Sequence, residues 1–179
     1  MIVAPTRIPD VLLLQPTAHA DERGRFVPTW DDAWLRRLPP GTRFVRSGEA
    51  HNPTIHTLRG LHLQRGLGKL VRAVRGRVFD VAVDLRAGSR TYGQWVGETL
   101  VDDGRSLWIP PGFAHGYLTL EADSVVSYQF TGAHVPTDEG GVRWDDPTLA
   151  IPWPAAPALM SKRDRGLPGF VPLAELGAR

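Results

Sequence analysis

The chain contains no cysteine, and only Lys69 and Lys162 among its 21 basic residues are lysines. Without thiols there is no disulfide scaffold, no thiolate metal site and no cysteine nucleophile. Long apolar runs are missing too: no stretch reaches the roughly 18 residues that a membrane helix needs. The opening MIVAPTRIPD lacks the basic-then-apolar order of a secretion signal. A cytoplasmic protein with no membrane partner is therefore expected. Charge of one sign is also scarce, because the formal balance is only +2 and the arginines are scattered. No basic face and no nucleic-acid motif is present, so nucleic-acid binding is not expected. Arginine does suit bidentate contacts with phosphate, which leaves a small anionic ligand as the expected partner.

What is present is ordinary globular material. A chain of 179 residues with 42% hydrophobic and 22% charged residues can build a real core, and a single domain over residues 1–179 is expected. The 19 glycines and 16 prolines fall at the spacing of short strands joined by turns. Residues 69–85 read as two strands around a turn at Arg75-Gly76, the second alternating strictly between two faces. Further strands are expected over 94–100, 106–109, 117–120 and 124–130. One helix is expected over Asp31 to Leu38 within WDDAWLRRL, with acids first, arginines last, and Pro39-Pro40 as its stop. Residues 158–179 read as a flap or short helix over the core, and Val11 to Leu14 as an exposed apolar strand open to exchange between subunits. The fold class is all-β, an antiparallel sandwich or jelly roll with a few short helices.

Two of the six histidines stand in suggestive settings. His62 lies in Arg59-Gly60-Leu61-His62-Leu63-Gln64, and His115 in Pro110-Pro111-Gly112-Phe113-Ala114-His115-Gly116. Together they outline the two motifs of a cupin barrel, whose side chains share one cavity. A metal-binding cupin needs a second histidine and a nearby carboxylate in its first motif. Here Gln64 takes the histidine's place and residues 69–74 carry no acid, so neither a metal nor another cofactor is expected. His62 is then an acid–base group that needs a carboxylate to fix its tautomer. Lys69 could steady a developing oxyanion, and Tyr128 could donate a proton. Such a set suits proton abstraction beside a ketone. Taken singly, each residue has a plainer reading: His62 as a satisfied core histidine, Lys69 as a solvated charge, Tyr128 as packing, Asp164 as part of an exposed tail. Trp95, Trp108, Trp144 and Trp153 read as core or dimer packing.

Several stretches then carry a resemblance. They are Leu58-Arg59-Gly60-Leu61-His62, Gly68-Lys69-Leu70-Val71-Arg72, residues 76–86, Gly88-Ser89, residues 107–116, Asp145-Asp146-Pro147 and Ile151-Pro152-Trp153-Pro154. In this order and spacing the chain resembles the dTDP-4-dehydrorhamnose 3,5-epimerase family of deoxysugar biosynthesis. The resemblance implies a metal-free cupin homodimer acting on a nucleotide-linked 4-keto-6-deoxyhexose, inverting C3, C5 or both. By position it implies His62 as general base, Asp164 as its orienting carboxylate, Lys69 as the enolate-stabilising cation and Tyr128 as the returning acid. Arg59 and His115 match the phosphate and sugar end, and Arg23, with Phe26 beside it, matches the nucleotide contact. Glu49, His134 and Arg163 complete the expected substrate-binding set.

Three positions depart from the family pattern. Pro28 stands where a glutamate is usual, Ser47-Gly48-Glu49-Ala50-His51 replaces Gln-x-Asn-x-Ser, and His134 replaces a second tyrosine. The first two bear on thymidine recognition and the third on which carbon is inverted. They suggest a divergent member serving an antibiotic-sugar pathway. Two other readings stand beside the epimerase: a catalytically silent nucleotide-sugar-binding cupin and a metal-dependent cupin oxygenase or isomerase.

Overall fold

Residues 78–83 alternate Val78, Asp80, Ala82 with Phe79, Val81, Val83, and both sets are largely buried. A strand apolar on both faces needs a cover on each side, and the rest of the chain supplies two. The computed structural model describes residues 1–29 and 31–170. In chain order its elements are β1 (Ile2–Pro5), β2 (Leu12–Gln15), β3 (His19–Asp21), β4 (Gly24–Phe26), α1 (Asp32–Leu35) and β5 (Arg46–Asn52). There follow β6 (Thr57–Gln64), β7 (Lys69–Arg75), β8 (Arg77–Asp84), β9 (Trp95–Val101), β10 (Ser106–Ile109), β11 (Phe113–Thr119) and β12 (Ser124–Phe130). The last are β13 (Glu139–Gly141), β14 (Leu159–Met160) and α2 (Lys162–Arg165).

One six-stranded sheet runs β1-β2-β10-β7-β12-β5, and a second runs β13-β6-β11-β8-β9 with β14 added alongside β6. Val71, Ala73, Leu107, Ile109 and Val126 of the first sheet meet Val78, Ala82, Val96, Leu100, Phe113 and Tyr117 of the second in one buried cluster. This is the sandwich interior. Behind the second sheet, Val81, Val83, Leu61 and Leu63 pack under Val142, Leu149 and Ile151 from the closing part of the chain. Behind the first, Leu14, Leu70 and Trp108 are covered by Trp34 and Leu38. The result is an all-β jelly roll of the cupin type, antiparallel throughout except where β14 runs parallel to β6.

Some expectations shift. The helix covers only Asp32–Leu35, with Arg36 as its C-cap, so the arginines lie past its last turn; Trp30 lies outside the described residues. Leu12–Gln15 is not an exposed apolar strand, because it is hydrogen-bonded between β1 and β10 and both Val11 and Leu14 are fully buried. The strand expected from Tyr117 begins at Phe113, its first half being the motif of His115. The closing segment does form a short helix, α2, and residues 171–179 lie outside the described residues.

One irregularity positions the site. Between β6 and β11, His115 faces His62 while Tyr117 faces Arg59. Two residues on one strand thus span three on the other, which is a bulge at Gly60-Leu61. A regular strand would put Arg59 and His62 on opposite faces; the bulge turns both toward one cavity. Gly60 has φ +126° and a side chain there would sit 2.5 Å from the Gly116 Cα, so only glycine fits. Gly60→Ala is expected to cost about 3 kcal/mol or more through strain and overpacking. A thermal melt should fall by roughly 6–12 °C.

Candidate active site

Arg59 and His62 from β6, His115 from β11 and Tyr128 from β12 line a cavity of about 590 Å³ whose other wall is Leu159, Met160, Ser161, Arg163 and Asp164. A smaller recess of about 230 Å³ shares His62, His115 and Tyr128 and adds Lys69, Arg46, Phe130, His134 and Glu139. Both sheets and the C-terminal helix therefore contribute to one space.

His62 Nε2 lies 2.8 Å from Asp164 Oδ1, with the histidine 36% exposed and the aspartate 4%. The other Asp164 oxygen accepts the Gly60 backbone N–H at 3.1 Å, so the carboxylate grips the bulge and the ring together. Asp164 is itself held at the start of α2, where Ser161 Oγ accepts its N–H. Burial pushes the Asp164 carboxyl upward, but the bonds to His62, Gly60 and Ser161 outweigh it and hold the group below its ordinary range. An ionised Asp164 accepts a hydrogen bond from Nε2–H, which leaves Nδ1 as the basic nitrogen of His62. The reading of Asp164 as an exposed tail is thus excluded.

A second pair is deeper. His115 Nε2 lies 2.7 Å from Asp80 Oδ1, both buried. Burial drives the His115 pKa down despite the carboxylate, so the ring stays neutral. Its face meets Tyr128 edge-on at 5.9 Å, and Tyr128 stacks on Phe130 at 5.5 Å. Burial raises the Tyr128 phenol well above its usual value, which keeps it a protonated donor. Lys69 is buried at the start of β7, and its ammonium donates to the His62 carbonyl at 3.3 Å. Desolvation pulls its pKa down to about 8, against the pull of Asp80 and Glu139.

The structure thus gathers His62, Asp164, Lys69, Tyr128, Arg59, His115, His134 and Arg163 at one cavity. It does not gather the rest. Glu49 is exposed on β5 and pairs with His51 at 3.5 Å, because the alternation sends Ala50 and Asn52 inward instead. Arg23 and Phe26 sit in the separate β3–β4 hairpin, 83% and 70% exposed, with Arg23 clasping Asp21. Within this chain neither reaches the cavity. Four contributors were missed: Asp80, Tyr117, Asn52 and Glu139. An aspartate inside the apolar 78–85 strand was a readable sign. Glu139 carried none, since its partners His134 (2.6 Å) and Arg163 (2.5 Å) meet it only in the fold. No group of three or more His, Cys, Asp or Glu able to hold a metal occurs among the described residues.

Holding Lys69 charged where its pKa is about 8 instead of 10.5 costs about 3 kcal/mol. Lys69→Met should therefore melt higher than the parent. The penalty is complete below pH 8 and fades between about 8 and 10.5, so the gain should be large at pH 7 and shrink toward pH 10. Melts across that range check it.

Comparison with known proteins agrees with this geometry. The family model for dTDP-4-dehydrorhamnose 3,5-epimerase matches residues 5–171. A dTDP-4-dehydrorhamnose 3,5-epimerase of Sinorhizobium fredii is 41% identical over 171 residues, covering 93% of this chain and 88% of the relative. The Legionella pneumophila dTDP-6-deoxy-D-glucose-3,5-epimerase, solved with dTDP-4-keto-L-rhamnose, superposes with a TM-score of 0.88 at 35% identity, over 95% of this chain and 98% of that one. A 3'-monoepimerase from Streptomyces bikiniensis, solved with dTDP-quinovose, gives a TM-score of 0.89 at 27% identity, over 97% and 90%. No helix among the described residues is long and apolar enough to cross a membrane. With the family model matching residues 5–171 and a relative 41% identical over 93% of this chain, the chain belongs to the dTDP-4-dehydrorhamnose 3,5-epimerase family.

Proposed function

We propose that the protein epimerises a dTDP-4-keto-6-deoxyhexose at C3, C5 or both. The observation that carries the reading is the opposition of base and acid. His62 enters the cavity from one sheet and Tyr128 from the other, with Lys69 buried beside them. His62 Nδ1 removes the proton from a carbon next to the C4 ketone. The electron pair moves onto the C4 oxygen, and the buried Lys69 ammonium stabilises the enolate so formed. Tyr128 then delivers its proton to the opposite face of the carbon, which inverts it. Solvent returns a proton to the phenolate and takes one from the imidazolium. Arg59, at the cavity wall, suits the diphosphate.

Incubation with dTDP-4-keto-6-deoxyglucose in heavy water, followed by mass spectrometry, tests this. One enzyme-dependent deuterium indicates a single-site epimerase and two indicate both carbons. No gain despite measured binding would sink the reading in favour of a silent nucleotide-sugar binder. His62→Ala should lower exchange by about 10³-fold while leaving binding nearly unchanged. The rate should also fall on the alkaline side with a midpoint near the Lys69 value of about 8, because deprotonation removes the charge that steadies the enolate. In Lys69→Arg that alkaline limb should disappear from the profile.

We further propose a homodimer. The exposed hairpin with Phe26 supports it, since a second copy could cover that ring and bring Arg23 to a cavity. Sedimentation returning 19.7 kDa, rather than twice that mass, would rule it out.

A further inference from the structure

Asn52 ends β5 and is 2% exposed. Its amide is committed on both sides. Nδ2 donates to the carbonyls of Ala50 and Ser124, each at 3.0 Å. Those two carbonyls only accept, so they fix which end of the amide is nitrogen. Oδ1 must then face the cavity side, where it accepts from Arg59 Nε at 2.8 Å and from the Tyr117 hydroxyl at 3.2 Å. Tyr117 is buried, in the cluster against which Tyr128 packs.

From this we infer that Asn52 is a positioning residue that aligns Arg59 and, through Tyr117, Tyr128 from one fixed amide oxygen. The inference rests on the epimerase reading for the role of Tyr128, and on the geometry alone for Arg59. Two donors converge on the one amide oxygen, Arg59 Nε and the Tyr117 hydroxyl, and Tyr128 packs against the cluster that holds Tyr117. Because Asn52 accepts the Tyr117 hydroxyl, that side chain is fixed at its polar end as well as by its packing. Tyr128 is then packed against a fixed neighbour. Arg59, bound through Nε, is left with its terminal nitrogens; one approaches the His51 carbonyl at a long 3.4 Å. The other terminal nitrogen, Nη1, makes no hydrogen bond among the described residues and is left to engage an anion in the cavity. One side chain thus places both the group that binds the charged end of a substrate and the group that returns the proton.

Three variants separate positioning from mere support. Tyr117→Phe removes a single hydroxyl without changing shape and should lower kcat about fivefold with KM unchanged. Arg59→Lys keeps the charge but loses the Nε contact, and should raise KM and the Kd for dTDP about tenfold with kcat nearly intact. Asn52→Leu should do both. The double variant Asn52→Leu/Tyr117→Phe should have a kcat no lower than Asn52→Leu alone, because the shared link is already cut. Asn52→Leu/Arg59→Lys should likewise show no added loss of dTDP affinity. Multiplying effects, or an Asn52→Leu protein that melts lower with unchanged kcat and KM, would overturn the inference. If Asn52→Leu does not fold, normal kcat in Tyr117→Phe overturns the link to Tyr128 by itself. Calorimetric binding of dTDP needs no turnover, so a parent protein without exchange activity would defeat the epimerase reading and still leave the Asn52–Arg59 arm measurable.

Discussion

The site depends on one buried carboxylate closing over one bulge. Asp164 spends an oxygen on the Gly60 N–H and the other on His62 Nε2. The bulge brings Arg59 and His62 to the same face of β6, and the strand opposite brings His115 and Tyr117. Without the extra residue at Gly60, the period of two would send either the arginine or the histidine out through the back of the sheet. Without Asp164, the bulge N–H would be buried unpaired and the His62 ring free to turn, each a loss of about 1–3 kcal/mol or of a defined tautomer. Backbone irregularity and acid–base chemistry are therefore supported by the same two oxygens.

Around that anchor the interior is electrostatically tense. Lys69, Asp80, His115 and Tyr128 are packed into a region where burial lowers the lysine and histidine and raises the phenol. Each shift disfavours the charged form, and those of the phenol and the histidine suit the proposed chemistry. The phenol keeps the proton it must give. The histidine next to it stays neutral, so it does not compete with the lysine for the enolate oxygen as a second cation. Lys69 retains its charge at neutral pH only at a cost to stability, and its replacement by an apolar chain would relieve the fold at the expense of the reaction.

Much of this was legible in the sequence, for identifiable reasons. The turn between β7 and β8 announced itself because Arg75-Gly76 stands ahead of a strictly alternating run, and alternation is a local property; that the two strands belong to different sheets is not local and was not legible. His62, Lys69 and His115 stand in motifs and Tyr128 is placed by the resemblance, and all four line one recess. Glu49 failed on parity: it lies one residue from Ala50 and three from Asn52, both turned inward, and one residue is the whole difference between the two faces of a strand. Arg23 and Phe26 lie away from the cavity of their own chain for a different reason, since a protruding hairpin has no position relative to the cavity that its own sequence can specify. Asn52 and Glu139 escaped because their meaning lies in contacts to Tyr117, Ser124, His134 and Arg163, none of which is set by local pattern.

The helix α2 shows how far the site depends on such distant contacts. Four residues are too few to form a helix on their own in water, and the Ser161 cap contributes only about 1 kcal/mol. What holds Lys162–Arg165 in place is what its side chains reach: Asp164 to His62 and Gly60, Arg163 to Glu139. Glu139 in turn holds His134, and β13, on which it lies, is paired with the strand that carries His62. Contacts at the base and contacts at the rim of the recess are thus made by adjacent residues of one short element. The same contacts that fold α2 complete the site, so His62 acquires its orienting partner only when the closing segment has settled on β6.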